Sequence, residues 1–310
     1  MENNIIVVKE VSKSYNGFIA LGSVSFTVKS GEVYVVLGPN GAGKSTLFNI
    51  IAGVMKPSSG SVKVLDGNPL NPSIRLKISY LPSTPPLYSW LTVMENIDFY
   101  SSLYGLDRNA VRKEAMELLE TIGIKDLSNK LASKLSTGQS KLTSIVLALV
   151  VKPELLILDE PTTGLDPGMR KNIVNLLRKQ VSNKTTILMA THLIDEAEEL
   201  ANRVAIMDRG RIIAEGGVEE LKKLYAPPAV LVIKPSKEHV EKASNVLKEH
   251  WNIIYEANDE VRLHTENPDE DMPKAILMLS ENGIRILSVS VDKPTLEDVF
   301  LKLTGRRLME

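Results

Sequence analysis

Nine consecutive residues, Gly38–Thr46 (GPNGAGKST), have the types and spacing of a phosphate cradle, G-x-x-x-x-G-K-[ST]. Gly38, Gly41 and Gly43 admit backbone angles that a Cβ would forbid, so successive N–H groups can turn inward on an anion, with Pro39, Asn40 and Ala42 between them. Lys44 adds a cation, Ser45 a hydroxyl suited to Mg²⁺, and Thr46 closes the motif. The expected ligand is a Mg-nucleotide. The alternative is a glycine-rich turn without a ligand.

Further residues read as partners for that site. Asp159 and Glu160 end the apolar run Leu155–Leu158, where a parallel strand presents its carboxyl end to ligands. Asp159 is placed to meet Mg²⁺ and Glu160 to polarise a water attacking a γ-phosphate. Thr191-His192 follows the run 186–190 to the same edge, so His192 could touch that phosphate, although a lone histidine is often structural. Ser136, in Leu135-Ser136-Thr137-Gly138-Gln139, is a good helix N-cap, or it forms a second anion site with Gly138 and the helix N-terminus. Tyr15 could stack on a purine or fill a surface groove.

The elements that must position these groups are legible from period. Residues 33–37 are almost unbroken apolar, as a doubly buried strand requires, and Leu47, Ile50, Ile51 and Val54 follow at helical spacing. Strands are expected at 4–10 and 23–29, with a turn at 15–17, and at 62–66 and 77–81. Prolines at 82, 85 and 86 then make a stiff connector. Helices at 93–103, 110–122 and 137–151 form an all-helical insert within about 84–152, and a helix is expected at 173–181. Segments 203–208 and 211–215 read as a closing hairpin, after the Gly164–Pro167 turn and the strand at 186–190.

Tyr225-Ala226-Pro227-Pro228 reads as a linker, dividing a nucleotide-binding domain at 1–225 from an accessory α+β domain at 226–310. The latter is expected to run strand 230–233, helix 238–251, strands 253–257 and 260–265, helix 273–281, strand 286–291 and helix 296–303, a ferredoxin-like order. The fold class is therefore α/β, a P-loop sheet with an N-terminal antiparallel part, plus this small domain.

Composition narrows the partners. With 37 basic and 38 acidic residues among 310, the net charge is −1, and nothing global suggests nucleic acid. The absence of cysteine excludes disulfides and thiolate metal sites, and four scattered histidines make a poor metal cage. No stretch reaches the ~18 to 20 apolar residues of a membrane span. Membrane work would need another subunit.

Together the motifs resemble the ATP-binding cassette (ABC) ATPases over about residues 4–225. The resemblance implies a P-loop at 38–46, a signature at 135–139, a Walker-B strand at 155–160, a D-loop at 164–167 with Asp166, and His192 as the switch histidine. It implies that Tyr15 stacks on adenine, with ATP and Mg²⁺ as ligands and hydrolysis as the reaction. It also implies a head-to-tail homodimer or heterodimer, in which Ser136, Gly138 and Gln139 of one cassette face the ATP of the other. A transmembrane permease would be the partner, with the chain peripheral on the cytoplasmic face. The tail Pro294–Phe300 (PTLEDVF) is similar to the ending of the exporter-associated subfamily linked to drugs, antibiotics, lipids or polysaccharides. Two departures stand out. Ser83 replaces the usual glutamine or glutamate, and Thr137 replaces glycine, in a signature without the arginine-rich run that follows it in relatives. The alternatives are a soluble ABC protein of non-transport function and a nucleotide-binding regulator with little hydrolysis.

Overall fold

The computed structural model describes residues 3–182, 184–257 and 259–308, with backbone alone at 182 and 255–257. The chain divides into two compact units, Met1–Glu220 with Arg307–Glu310 and Leu221–Arg306. In order, the first carries β1 (Asn4–Tyr15), β2 (Phe18–Lys29), β3 (Val33–Leu37), α1 (Lys44–Ile51), β4 (Ser59–Val64), α2 (Pro72–Arg75) and β5 (Ile78–Leu81). Then come α3 (Val93–Leu103), α4 (Arg108–Thr121), α5 (Thr137–Val150), β6 (Leu155–Asp159), α6 (Pro167–Ser182) and β7 (Thr186–Thr191). It closes with α7 (Ile194–Leu200), β8 (Arg203–Asp208) and β9 (Arg211–Gly216), and α8 (Val218–Tyr225) spans the division.

The main sheet has six strands in the order β5-β6-β7-β3-β8-β9, all parallel except for β9, which pairs antiparallel with β8. A second sheet, β2-β1-β4, is antiparallel. Between them lies α1, whose Leu47, Phe48, Ile50 and Ile51 are fully buried against Ile6, Val8 and Leu21 on one side and Val36, Ile157 and Leu188 on the other. Each such side chain contributes about 1.5–3 kcal/mol of burial. The helix that begins at the phosphate cradle is thereby fixed along its whole length.

β1 and β2 are longer than the apolar alternation predicts. They form one hairpin in which Tyr15 faces Phe18 across a two-residue Asn16-Gly17 turn, both residues having positive φ (48° and 88°). Register shifts, with Glu10 and Ser23 also at positive φ, break the period-two pattern while pairing continues. β4 starts earlier and ends earlier than expected, because Leu65 and Asp66 adopt left-handed turn angles. α6 starts at Pro167, earlier than its apolar spacing suggests, because Asp166 accepts from the Met169 N–H (3.0 Å) and caps it. In the insert, Thr92 with Glu95 and Ser136 with Gln139 form capping boxes that start α3 and α5.

The second unit holds β10 (Ala229–Pro235), α9 (Val240–Lys248), β11 (Ile253–Ala257), β12 (Glu260–Thr265), α10 (Pro268–Glu281), β13 (Ile286–Asp292) and α11 (Leu296–Thr304). Its sheet order β11-β12-β10-β13 is antiparallel throughout, the ferredoxin-like arrangement. Leu231, Ile233, Val261 and Leu263 meet Ala243, Leu247, Ala275 and Leu279 in its core. α10 begins at Pro268, which suits a first helical position, and carries Pro273 inside it rather than at its start. α9 is shorter than expected because residues 237–239 form a 3₁₀ turn.

Candidate active site

Parallel pairing brings the carboxyl ends of β3, β6 and β7 to one edge of the main sheet, where Gly38, Asp159 and Thr191 leave it. Two glycines of the loop are dictated by space. A Cβ on Gly38 would sit 2.3 Å from the Met207 carbonyl oxygen. One on Gly43, whose φ is 104°, would sit 2.7 Å from the Ala20 carbonyl oxygen and 3.0 Å from Leu21. The loop therefore packs against β8 and against β2, so the β1–β2 hairpin lies beside it. The Gly38 N–H donates to the Thr191 carbonyl (3.2 Å), and the Gly210 N–H donates to the Ala42 carbonyl (2.8 Å).

Lys44 is 4% exposed. Its Nζ donates to the carbonyls of Gly38 (2.7 Å) and Pro39 (3.0 Å) and lies 3.3 Å from Glu160 Oε1. Burial lowers the ammonium's pKa, and Glu160 and Asp159 oppose that fall. His192 Nδ1 is 3.2 Å from the same Glu160 oxygen, a charge contact when the ring is protonated, and it has no other hydrogen-bond partner. Burial pushes the Glu160 carboxyl up, but Lys44 and His192 more than offset this and hold it below the usual range. Glu160 also has φ 52°, a left-handed angle uncommon for a side chain of its size. Its N–H is held by the Ala190 carbonyl (2.9 Å) and its own carbonyl by Lys141 Nζ (3.0 Å). The strain is thus pinned at both ends, as is common where a catalytic side chain must be aimed.

Asp159 is 1% exposed, and its Oδ1 has no hydrogen-bond partner. Burial raises its carboxyl and Glu160 adds to the rise, while the Ser45 hydroxyl and Lys44 oppose it. A buried, unpartnered oxygen beside a hydroxyl is a pair of hard oxygen donors. No cluster of three or more His, Asp or Glu among the described residues could hold a metal unaided. Mg²⁺ that arrives with phosphates needs only one or two protein oxygens, so Ser45 and Asp159 fit it.

The structure thus gathers Gly38–Thr46, Asp159, Glu160 and His192. It does not join the signature to them within the chain: among the described residues no hydrogen bond or ion pair links residues 135–139 to 38–46. Ser136 Oγ accepts from the Gln139 N–H (3.2 Å) and Gln139 Oε1 from the Ser136 N–H (3.1 Å). A Cβ on Gly138 would lie 3.4 Å from Leu165 of the 164–167 turn. Tyr15 is 42% exposed at the hairpin tip, its hydroxyl donating to Met55 Sδ (3.1 Å) with Lys13 Nζ 5.3 Å from the ring centre. Ser83 lies exposed just beyond β5, whose Leu81 pairs with Leu158, so it leaves the sheet at the edge that carries Asp159 and Glu160.

Sequence reasoning missed Lys141, Thr191 as a hydrogen-bonding centre, Arg170 and Glu196. Lys141 Nζ donates to the carbonyls of Glu160 and Thr163 (2.6 Å), tying the start of α5 to the end of β6. The only signal for it was a cation in the first turns of a helix, which is common on solvated faces. A cavity of about 920 Å³ lined by Ser12, Lys13, Ile19 and Arg211 includes none of the gathered residues.

The chain is similar to known proteins along both units. The family described as "ABC transporter" matches residues 21–163, and the "ATP-binding protein DrrA1-3-like, C-terminal domain" family matches residues 216–304. The daunorubicin/doxorubicin resistance ATP-binding protein DrrA of Streptomyces peucetius is 34% identical over 94% of this chain and 90% of its own length. The Nod factor export ATP-binding protein I of Rhizobium etli is 34% identical over 96% of this chain and 93% of its own. Among solved structures, an ATP-binding subunit of an ABC transporter superposes with TM-score 0.67 at 29% identity, covering 71% of this chain and 92% of that one. A dimeric post-hydrolysis state of the cassette MJ0796 bound to ADP and Pi gives TM-score 0.64 at 29% identity, covering 68% and 98%. The chain belongs to the ABC transporter ATP-binding family. Within that family it is an ATP-binding subunit of the exporter-associated type, with a DrrA-like C-terminal domain.

Proposed function

We propose that this subunit binds and hydrolyses Mg-ATP at the sheet edge and so drives a separate membrane permease in export, as relatives named for daunorubicin/doxorubicin resistance and for Nod factor export suggest. The observation that carries the reading is the convergence of Lys44, Asp159, Glu160 and His192, from three strands, on one phosphate cradle. The inward N–H groups of 38–46 and Lys44 bind the β- and γ-phosphates. Lys44, now paired with Glu160 and two carbonyls, carries its charge to the phosphate, which leaves Glu160 free to take a proton from water. His192 fixes the Glu160 carboxylate and reaches the γ-phosphate. Ser45 and Asp159 would hold Mg²⁺, which when bound would neutralise phosphate charge.

Tyr15, on the hairpin beside Gly43, stacks on the adenine. Residues 1–225 act as the nucleotide-binding domain and 226–310 as the accessory domain. Two cassettes close head to tail, each supplying Ser136, Gly138, Gln139 and Asp166 to the nucleotide of the other, as the dimeric relative suggests. Among the described residues no helix is long and apolar enough to cross a membrane, and in this reading the permease is a separate chain that this one meets on the cytoplasmic face. The test is Lys44→Ala. Equilibrium titration with Mg-ATP should show affinity reduced at least about a hundredfold, the scale of losing a charge-assisted contact of about 3 kcal/mol. Unchanged affinity would overturn the phosphate assignment.

A further inference from the structure

We infer that Glu196 and Arg170 are positioning residues for His192, tying the helix after the 164–167 turn to the backbone on both sides of the switch histidine. This rests on the hydrolytic reading above. Glu196, on α7, is 1% exposed, and its Oε2 accepts from the Thr191 hydroxyl (2.8 Å). That same hydroxyl accepts from the Leu193 N–H (2.9 Å), so the residues before and after His192 hang on one oxygen. The Thr191 carbonyl in turn receives the Gly38 N–H of the phosphate loop. On the other side, Glu196 Oε1 faces Arg170 Nε at 3.9 Å, and neither atom has a hydrogen-bond partner. The Arg170 N–H donates to the Asp166 carbonyl (3.0 Å), which places Arg170 one turn beyond the 164–167 turn.

An open pair of this kind is a poor stabiliser. Burial of the Glu196 carboxylate outweighs what Arg170 at 3.9 Å returns, so the neutral form of this side chain is favoured. The gap is, however, the right size to transmit a motion. Closing it to the ~2.8 Å of a charge-assisted hydrogen bond moves the pair about 1 Å. A shift of that size at a reacting group can change a rate by about a hundredfold. A displacement of α6 with its turn, where a second cassette would press, therefore reaches His192 through Arg170, Glu196 and Thr191. Burial pushes the Glu196 carboxyl up to about 7, while Thr191, Arg170 and Lys141 of α5 oppose the rise and Asp195 of α7 adds to it.

Glu196→Gln in the full-length chain keeps the Thr191 contact and removes the charge that Arg170 meets. Turnover at saturating Mg-ATP and pH 8 should fall about tenfold with ATP affinity within twofold, a modest share of what misplacement can cost. Wild-type turnover should rise between pH 6 and 8 as Glu196 ionises, and the variant should lose that part of the profile. Because folding raises this carboxyl from its ordinary 4.5, wild-type stability drains as pH climbs through about 7. The variant escapes that loss, so its Tm at pH 8 should be higher than that of wild type. Slower but more stable is a combination that simple structural damage does not give. Arg170→Gln should slow turnover equally, and the double variant no further. Wild-type turnover and pH profile in Glu196→Gln, or losses that multiply in the double variant, would sink the inference. A Glu160→Gln control separates the readings: if it turns over like wild type, the hydrolytic reading fails and takes this one with it.

Discussion

The two units use strand ends in opposite ways. In the first, every pairing of the main sheet except β8–β9 is parallel, so residues as far apart in sequence as Lys44 and His192 meet at one edge. In the second, neighbouring strands run antiparallel, and successive strand ends alternate between two edges. Its charged residues pair locally along the surface, as Lys234 and Arg262 do with Glu260. Pairs of this kind are worth little. Parallel order concentrates these groups, whereas this antiparallel sheet builds a core.

The sharpest way to break the contrast is Glu160→Gln. The amide keeps the shape but cannot accept a proton, so steady-state turnover should fall about a thousandfold while ATP binding persists. The variant should also accumulate as an ATP-bound dimer in light scattering, and one that stays monomeric with ATP would count against the closed-dimer reading. Smaller in effect is Leu231→Ala in the core of the second unit. Losing a buried leucine should cost that unit about 3 kcal/mol, seen as a lower unfolding midpoint in denaturant, with ATP affinity unchanged. A parallel loss of ATP affinity would mean that the units are not energetically separate.

The smallest effect is expected at Ser83, where the family resemblance implies a longer side chain. A side chain this short is expected to act through a bridging water, which holds position less firmly than a direct contact. Ser83→Gln should raise turnover several-fold at saturating Mg-ATP, with affinity nearly unchanged. Equal or slower turnover would show that another group orients the water.

The sequence by itself determined the parts that depend on local pattern. The glycines, Lys44 and Ser45 of the cradle announce themselves by spacing. Asp159-Glu160 and His192 follow short apolar runs that read as buried strands, and the longer apolar-periodic segments of the insert read as helices. The second unit was legible as βαββαβ for the same reason. Tertiary structure decided what spacing cannot carry. The β1–β2 hairpin is continuous because bulges restore pairing after breaking the alternation. Gly43 is required because β2 passes within a Cβ's reach, a neighbour more than twenty residues away. Lys141, Arg170 and Glu196 look in the sequence like ordinary helix-surface charges. Only packing shows that Glu196 is buried, that Arg170 faces it across an open gap, and that the hydroxyl of Thr191, beside His192, donates to Glu196. Burial and pairing between distant elements set the energy of a charge, and a linear pattern records neither.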